Sequence, residues 1–155
     1  MNLNDLVVPG VRSLQPYQPG KPVEELEREL GIEGIVKLAS NENPRSPAAT
    51  VQRAMAAAAS EISRYPDGSG FQLKQRLSKV LKVTPSNITL GNGSNDVLEL
   101  IVRAFVQSGE GVVVSAHAFA VYVLSASAAG AKLQETPARN WGHDLDAMFD
   151  MIDGE

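Results

Sequence analysis

The alternation of short strand-like runs and helical patterns after residue 87 constrains the fold of this chain more than any other feature. Runs at 88–90, 111–115 and 132–136 predict strands, because each is short and bounded by turn residues. Patterns at 95–107 and 118–129 predict helices, the first from its apolar spacing and the second from its alanine content. Strands that alternate with helices form parallel sheets with right-handed crossovers. The sequence therefore predicts an α/β fold that contains a βαβαβ unit.

The turn between the first of these strands and its helix reads Gly91-Asn92-Gly93-Ser94-Asn95-Asp96. Ser94 or Asn95 occupies the expected N-cap position. The first N–H groups of a helix lack intrahelical partners, and the macrodipole adds partial positive charge there, so a phosphate group suits such a site. Asp96 would compete with a bound anion, and both the dinucleotide fingerprint and the P-loop pattern are incomplete. The turn is a candidate phosphate site, with an ordinary structural turn as the alternative.

Composition excludes several other kinds of site. The chain has 155 residues, a net charge of −4, no cysteine and two histidines, His117 and His143, which are far apart in sequence. Disulfides and thiolate metal sites are excluded, and we expect no zinc site. Nucleic acids and anionic membranes call for basic clusters, so we expect neither as a partner. The sequence has neither a signal-peptide pattern nor an apolar stretch of the ~20 residues that span a bilayer, and we expect a cytoplasmic protein.

The segment before residue 88 predicts an arm and three helices. Five prolines and glycines between residues 9 and 20 predict that the arm has no regular structure. The other expected elements, in chain order, are a helix from Pro22 to Gly31, an extended piece at 35–39, a helix opened by Ser46-Pro47 with the serine as cap, a turn at 65–70, a helix through Leu73 and Leu81, and a last helix from Asp144 to Ile152. A parallel sheet of three strands leaves an edge uncovered. We therefore expect this chain to be the N-terminal part of a longer protein.

Four segments, in this order and spacing, resemble the fold-type I, pyridoxal-phosphate (PLP)-dependent aminotransferases, and among them the histidinol-phosphate aminotransferase family. They are Ser40-Asn41-Glu42-Asn43-Pro44, Arg64-Tyr65-Pro66-Asp67-Gly68, Gly91 to Asp96, and Ala118-Phe119-Ala120-Val121-Tyr122. Residues 14–20 and 141–146 are similar to the same family, although Trp141 stands where a tyrosine is common. The resemblance covers almost the whole chain. It implies an N-terminal arm and small-domain segment at 1–35 and, at 36–155, the first part of a PLP-binding, parallel-sheet large domain.

The resemblance also implies roles for individual residues. The cofactor-binding set would be Gly93, Ser94 and Asn95 around the phosphate, Phe119 over the pyridine ring, and Tyr65 reaching the phosphate of the neighbouring subunit in a homodimer. Tyr17 and Asn43 would lie near the substrate. Each has a plainer alternative: a core position for Phe119, packing for Tyr65, a surface aromatic for Tyr17, and turn chemistry for Asn43 or Asn41. We interpret His117 as a residue at the rim of the pocket.

The implied activity is amino transfer between histidinol phosphate and 2-oxoglutarate in histidine biosynthesis, with PLP as cofactor. None of the lysines in this chain has the context of the family's Schiff-base lysine, which is expected beyond Glu155, so no catalytic residue is assigned here. We therefore expect the 155 residues alone to be inactive. Two alternatives stay open: a related aminotransferase for aromatic or other amino acids, and a noncatalytic phosphate-binding or dimerisation module.

Overall fold

The computed structural model describes residues 3–17 and 20–152, which group into two compact units. One unit combines Met1–Pro16 with Val83–Glu155, and the other is Tyr17–Lys82. The helices within the described residues, in chain order, are α1 (Pro9–Arg12), α2 (Val23–Leu30), α3 (Ala49–Ala58), α4 (Phe71–Leu81), α5 (Ser94–Phe105), α6 (Ala120–Ala128) and α7 (Leu145–Asp150). The strands are β1 (Gly111–Ser115), β2 (Lys132–Thr136), β3 (Ala138–Arg139) and β4 (Gly142–His143). None of the described helices is long and apolar enough to cross a membrane.

The first unit is built on a parallel pair of strands with helices packed beside it. β1 and β2 pair in register from Gly111 opposite Lys132 to Ser115 opposite Thr136. The core lies between this pair and α6, where Val114 and Ala126 are buried. The Thr136 hydroxyl is buried as well and donates to the Val114 carbonyl at 3.3 Å. Both strands were predicted from sequence at their observed bounds, and the predicted bounds of α5 and α6 lie within two residues of the observed ones.

The predicted strand at 88–90 is wrong, although Ile88 has extended backbone. Ile88 is buried and has φ −115° and ψ 118°, which are β values. A strand also needs a neighbour for its hydrogen-bond ladder. Within the described residues β1 pairs with β2 and no strand pairs with 88–90. The observed parallel sheet therefore has two strands instead of three.

The prediction that the N-terminal arm has no regular structure is also wrong. A 3₁₀ helix covers Leu3–Leu6, and α1 begins at Pro9. Proline suits the first position of a helix, because its missing N–H would have no partner there. Gly10 lies against the C-terminal end of α6, where an added Cβ would be 2.1 Å from the Ser127 carbonyl oxygen. This glycine serves close packing and does not break the helix.

In the second unit, the start of α2 and its end match the sequence prediction, whereas the start of α3 does not. α2 has Pro22 as its N-cap and ends at Gly31, which has the left-handed φ of 65°. α3 begins after Ala48, two residues later than the predicted opening with Ser46 as cap and Pro47 inside, and no side chain caps it. Ala48 has ψ 147°, so the chain turns helical only after it. The segment 35–39, predicted as extended, forms no strand.

A short hairpin near residue 140 was not predicted. β3 and β4 are antiparallel and joined by Asn140 and Trp141, with φ 52° and 63°. Two positive φ values are the mark of a type I′ turn, in which asparagine is common and tryptophan is not. The following helix, α7, begins as predicted, with the Asp144 carboxylate accepting from the Ala147 amide at 3.2 Å. It ends at Asp150 and does not reach Ile152.

Candidate functional site

The N-terminus of α5 presents backbone amides at the position that the sequence predicts for a phosphate. The N-cap is Gly93 and not Ser94 or Asn95 as predicted, and its φ of 83° and ψ of 176° are open in practice only to glycine. No side chain among the described residues caps this end of the helix. Gly93, Ser94 and Asn95 are exposed, and no atom lies within 4 Å of the point where a Cβ on Gly93 would project. Within the described residues, the first helical amides are therefore not occupied by a side-chain cap, and the space beside Gly93 is open.

Asp96 holds this turn together from inside. Its Oδ2 accepts a hydrogen bond from the Asn92 amide at 2.9 Å, and the Gly93 amide donates to the Gly91 carbonyl at 2.9 Å. The sequence raised the possibility that Asp96 competes with an anion. In the structure its carboxylate is engaged by the Asn92 amide. Gly91 has no room for a side chain, since an added Cβ would lie 2.8 Å from Cγ2 of Val97.

The N-termini of α5 and α6 lie at the same edge of the strand pair. The segments that follow the two helices meet, because the Gly109 amide donates to the Gly130 carbonyl at 2.9 Å and the Lys132 amide donates to the Glu110 carbonyl at 2.8 Å. α5 and α6 pack side by side. Both helices therefore run back from the carboxyl ends of β1 and β2 towards their amino ends. Ligands of parallel α/β sheets bind at the carboxyl edge.

Phe119 is the N-cap residue of α6, at that carboxyl edge, with 41% of its surface exposed. It follows a tight turn in which the Ala118 amide donates to the Ser115 carbonyl at 3.1 Å. The Ala116 amide donates to the Thr136 carbonyl at 2.8 Å, which ties this turn to the end of β2. The structure thus brings the Gly93–Asn95 turn and Phe119 to one edge of the same unit. Their roles toward a cofactor stay predictions.

His117 lies in the same turn and is exposed, and its interpretation as a rim residue stays a prediction. Its φ of 62° is unusual for a residue with a side chain. Its ring contacts that of Trp141, with centroids 5.8 Å apart and planes tilted by 40°. This pair was not predicted from sequence. Both residues adopt a positive φ without being glycine, so the residue types gave no indication of these turns.

The other predicted site residues belong to the second unit. Tyr65 is fully exposed, and Tyr17 is 49% exposed. Asn43 is exposed, and its Oδ1 accepts from the Arg45 amide at 3.0 Å, which is the turn chemistry proposed as its alternative role. Asn41 has a φ of 50°, another turn feature. A substrate role for Tyr17 or Asn43 stays a prediction.

Asp67, two residues after Tyr65, was missed as a functional candidate. Its Oδ1 accepts from the Ser69 amide at 2.9 Å and from the Ser69 hydroxyl at 2.8 Å, and its Oδ2 accepts from the Phe71 amide at 2.8 Å. These bonds, led by that of the Ser69 hydroxyl, hold the pKa of Asp67 below its ordinary value. The carboxylate thereby caps α4, whose N-cap position is Gly70. The signal in sequence is an aspartate four residues before the first helical residue.

The charged groups of the described residues do not form a second candidate site. No group of three or more histidine, cysteine or acidic residues in 3–17 and 20–152 is placed to hold a metal ion. Lys21 pairs with Glu29 and Glu25, and the hydrogen bond to Glu29 raises the pKa of this lysine. Lys37 pairs with Glu42 at 2.7 Å. These lysines are engaged in surface ion pairs.

Comparison with known proteins adds independent findings. The model of the family described as "Aminotransferase class I and II" matches residues 33–155. "Histidinol-phosphate aminotransferase 2" of Pseudomonas aeruginosa is 52% identical over 97% of this chain and 41% of that protein. The protein of the same name from Nitrosospira multiformis is 53% identical over 98% of this chain and 39% of that protein. The chain thus spans about 40% of the length of these curated relatives.

Solved structures give the same result. The crystal structure of histidinol-phosphate aminotransferase from Sinorhizobium meliloti, in complex with pyridoxal-5′-phosphate, superposes with a TM-score of 0.79 and 30% identity over 92% of this chain and 38% of that one. An alanine aminotransferase from Pyrococcus furiosus, at 21% identity and a TM-score of 0.69, shares the fold over 84% of this chain and 36% of its own. The predicted α/β fold class and the predicted resemblance are confirmed. This chain belongs to the family of class I and II aminotransferases.

Proposed function

We propose that this chain is the N-terminal part of a PLP-dependent histidinol-phosphate aminotransferase, which transfers an amino group between histidinol phosphate and 2-oxoglutarate in histidine biosynthesis. The names of relatives that are 52% and 53% identical over nearly all of the chain support this substrate class. The observation that carries the proposal is the uncapped, exposed N-terminus of α5 at the carboxyl edge of a parallel strand pair. When bound, PLP would supply the electron sink for amino transfer.

The residues present fit the phosphate end of this cofactor. Backbone amides at Ser94 and Asn95 would donate to phosphate oxygens, and the positive end of the α5 dipole would favour the negative charge. Gly93 allows the turn to orient these amides, since its backbone conformation is one that other residues avoid. Phe119 would pack against the flat pyridine ring. These groups bind and orient the cofactor, and they leave the chemistry to a lysine outside this chain.

The remaining assignments complete the proposal. The Tyr65 hydroxyl would donate to the cofactor phosphate of the neighbouring subunit in a homodimer. Tyr17 and Asn43 would contact the substrate. Residues 1–35 would be the arm and small-domain segment, and 36–155 the first part of the cofactor-binding domain. We place the whole protein in the cytoplasm, with neither nucleic acid nor membrane as a partner.

The proposed phosphate site at residues 93–95 can be tested with two glycine variants of the full-length protein. Gly93 and Gly109 both have positive φ, 83° and 91°, and neither has an atom within 4 Å of an added Cβ. Replacing either with alanine imposes backbone strain of about 1–3 kcal/mol. We expect G93A to weaken binding of PLP to the apoprotein while leaving binding of unphosphorylated pyridoxal unchanged, and G109A to leave both unchanged. Equal PLP affinity in G93A and G109A would count against a phosphate site at residues 93–95.

The substrate assignment is tested by steady-state kinetics with 2-oxoglutarate as acceptor. We expect the full-length protein to prefer histidinol phosphate to phenylalanine, tyrosine and alanine as amino donor. Preference for one of the other donors would favour a related aminotransferase. The isolated 155 residues should give no turnover, because no lysine of the chain lies in the required context. Turnover by this chain alone would overturn the assignment of the catalytic lysine to a later segment.

A further inference from the structure

The turn between Tyr65 and α4 is unusually well fixed for an exposed segment. Asp67 accepts three hydrogen bonds at 2.8–2.9 Å from Ser69 and Phe71. Its own carbonyl accepts from the Gly70 amide at 3.0 Å. Gly70 stands at the N-cap position and has no side chain to offer, so Asp67 does the capping from three residues upstream. One side chain thus connects the turn rigidly to the first residues of α4.

Tyr65 is attached to this rigid turn by a stiff link. The residue before a proline is restricted to extended backbone, so Pro66 limits the directions that Tyr65 can take. The phenol is fully exposed and does not pack on the described residues of its own unit. A large aromatic side chain in water has nothing local to hold its direction. The backbone that joins Tyr65 to α4 is restricted at Pro66 and is held from Asp67 to Phe71 by the bonds of Asp67, so this backbone limits where the phenol can lie.

We propose that Asp67 is a positioning residue for Tyr65, and that it presents the Tyr65 hydroxyl to the phosphate of the cofactor in the neighbouring subunit. This inference rests on the proposed function, in which Tyr65 donates to that phosphate. Asp67 acts through the turn and does not itself touch the cofactor, since all three of its bonds run to Ser69 and Phe71. The consequence is that Asp67 and Tyr65 should be coupled in cofactor affinity.

The test is a double-mutant cycle on the full-length apoprotein, read as the dissociation constants of PLP and pyridoxal. We expect Y65F to weaken PLP binding about tenfold, as for a lost hydrogen bond to a charged group, and to leave pyridoxal binding unchanged. D67A should weaken PLP binding by about threefold to tenfold, also without effect on pyridoxal. In the Y65F background D67A should have no further effect. D67N keeps an acceptor oxygen and should restore much of the loss.

Asp144 provides the matched control, because it also caps a helix through its carboxylate, at the start of α7. D144A should lower thermal stability without changing the ratio of PLP to pyridoxal affinity. If Y65F leaves PLP affinity unchanged, the proposed role of Tyr65 fails. If Y65F weakens binding but D67A does not, or D67A weakens it equally in the Y65F background, the positioning role of Asp67 is overturned while the proposed function stands. Circular dichroism of D67A and D67N checks that α4 is retained.

Discussion

Replacement of Gly10 with alanine should detach α1 from the C-terminal end of α6. The added Cβ would lie 2.1 Å from the Ser127 carbonyl oxygen, and 3.2 Å from both the Ala128 carbonyl oxygen and the Gly130 amide nitrogen. All three neighbours are backbone atoms, so no side-chain rotation relieves the clash. Ordinary contact begins at 3.4 Å. α1 would have to retreat by about 1.3 Å, enough to lose most of its van der Waals contact with α6.

The energetic consequence follows from two opposing effects. Overpacking of this kind costs about 1–3 kcal/mol, while alanine in place of glycine favours a helix by up to about 1 kcal/mol. The cost is also limited by the free energy that docking of α1 provides, because the segment can simply leave. That free energy is small, since Val8 is 59% exposed and Val11 is 38% exposed. We therefore expect a global loss of about 1 kcal/mol or less, and a large local effect at α1.

Hydrogen exchange measured by mass spectrometry on the full-length protein detects this local effect. The amides of Val11 and Leu14 donate within the α1 segment, to Val8 and Val11, at 3.0 and 3.2 Å. We expect G10A to speed their exchange while exchange in α5 is unchanged. G68A is the control, because no atom lies within 4 Å of its added Cβ and its φ is not in the left-handed region. Equal protection of these amides in G10A and in the unmodified protein would refute the reasoning.

Three further predictions concern stability. Lys82 ends α4 with a left-handed φ of 56°, so K82G should stabilise the protein by about 1 kcal/mol; a lower melting temperature would contradict this. T136V removes the buried hydroxyl bond to the Val114 carbonyl and should destabilise by about 1 kcal/mol in urea unfolding, whereas no loss would mean that the 3.3 Å bond contributes nothing. The pKa of Asp67 is depressed from its ordinary 3.8 in the folded state, so its stabilisation of α4 is present above that value and is lost as pH falls through the folded-state pKa. Acid unfolding of D67N should lack this component, and identical acid transitions would refute the assignment.

Apart from α1, the helices within the described residues were predictable from sequence because their signals are local. The apolar spacing along residues 94–105 specifies a helix, and Gly31 specifies where α2 ends, whatever surrounds them. The strand at 88–90 was not predictable in the same way. Ile88 adopts extended backbone, but a strand is defined by a partner that lies elsewhere in the chain. Local pattern gives the conformation of a segment and leaves its pairing undetermined.

The roles of Gly10 and Trp141 were not predicted from sequence, because each depends on neighbouring residues. Gly10 was interpreted as a breaker, whereas its function is close packing against a helix end that is 117 residues away along the chain. Trp141 takes a left-handed conformation that is uncommon for a tryptophan, so the hairpin of β3 and β4 had no turn signal beyond Asn140. In both cases the residue type is compatible with several backbone states, and tertiary contact selects one of them.

The residues of the candidate site also differ in how far their roles could be predicted from sequence. Its proposed phosphate site is made of consecutive residues, Gly93 to Asn95, whose amides are oriented by the helix that they begin. The sequence alone could therefore indicate this site. The role of Tyr65 cannot be predicted in this way, because a phenol donates to a phosphate only where its hydroxyl lies beside that phosphate. In our proposal Asp67 fixes the turn that positions Tyr65, and the phosphate belongs to the cofactor of a second subunit. Cofactor affinity measured across the Tyr65 and Asp67 variants therefore tests the step that sequence pattern cannot reach, namely whether a turn fixed within one subunit completes a site in another.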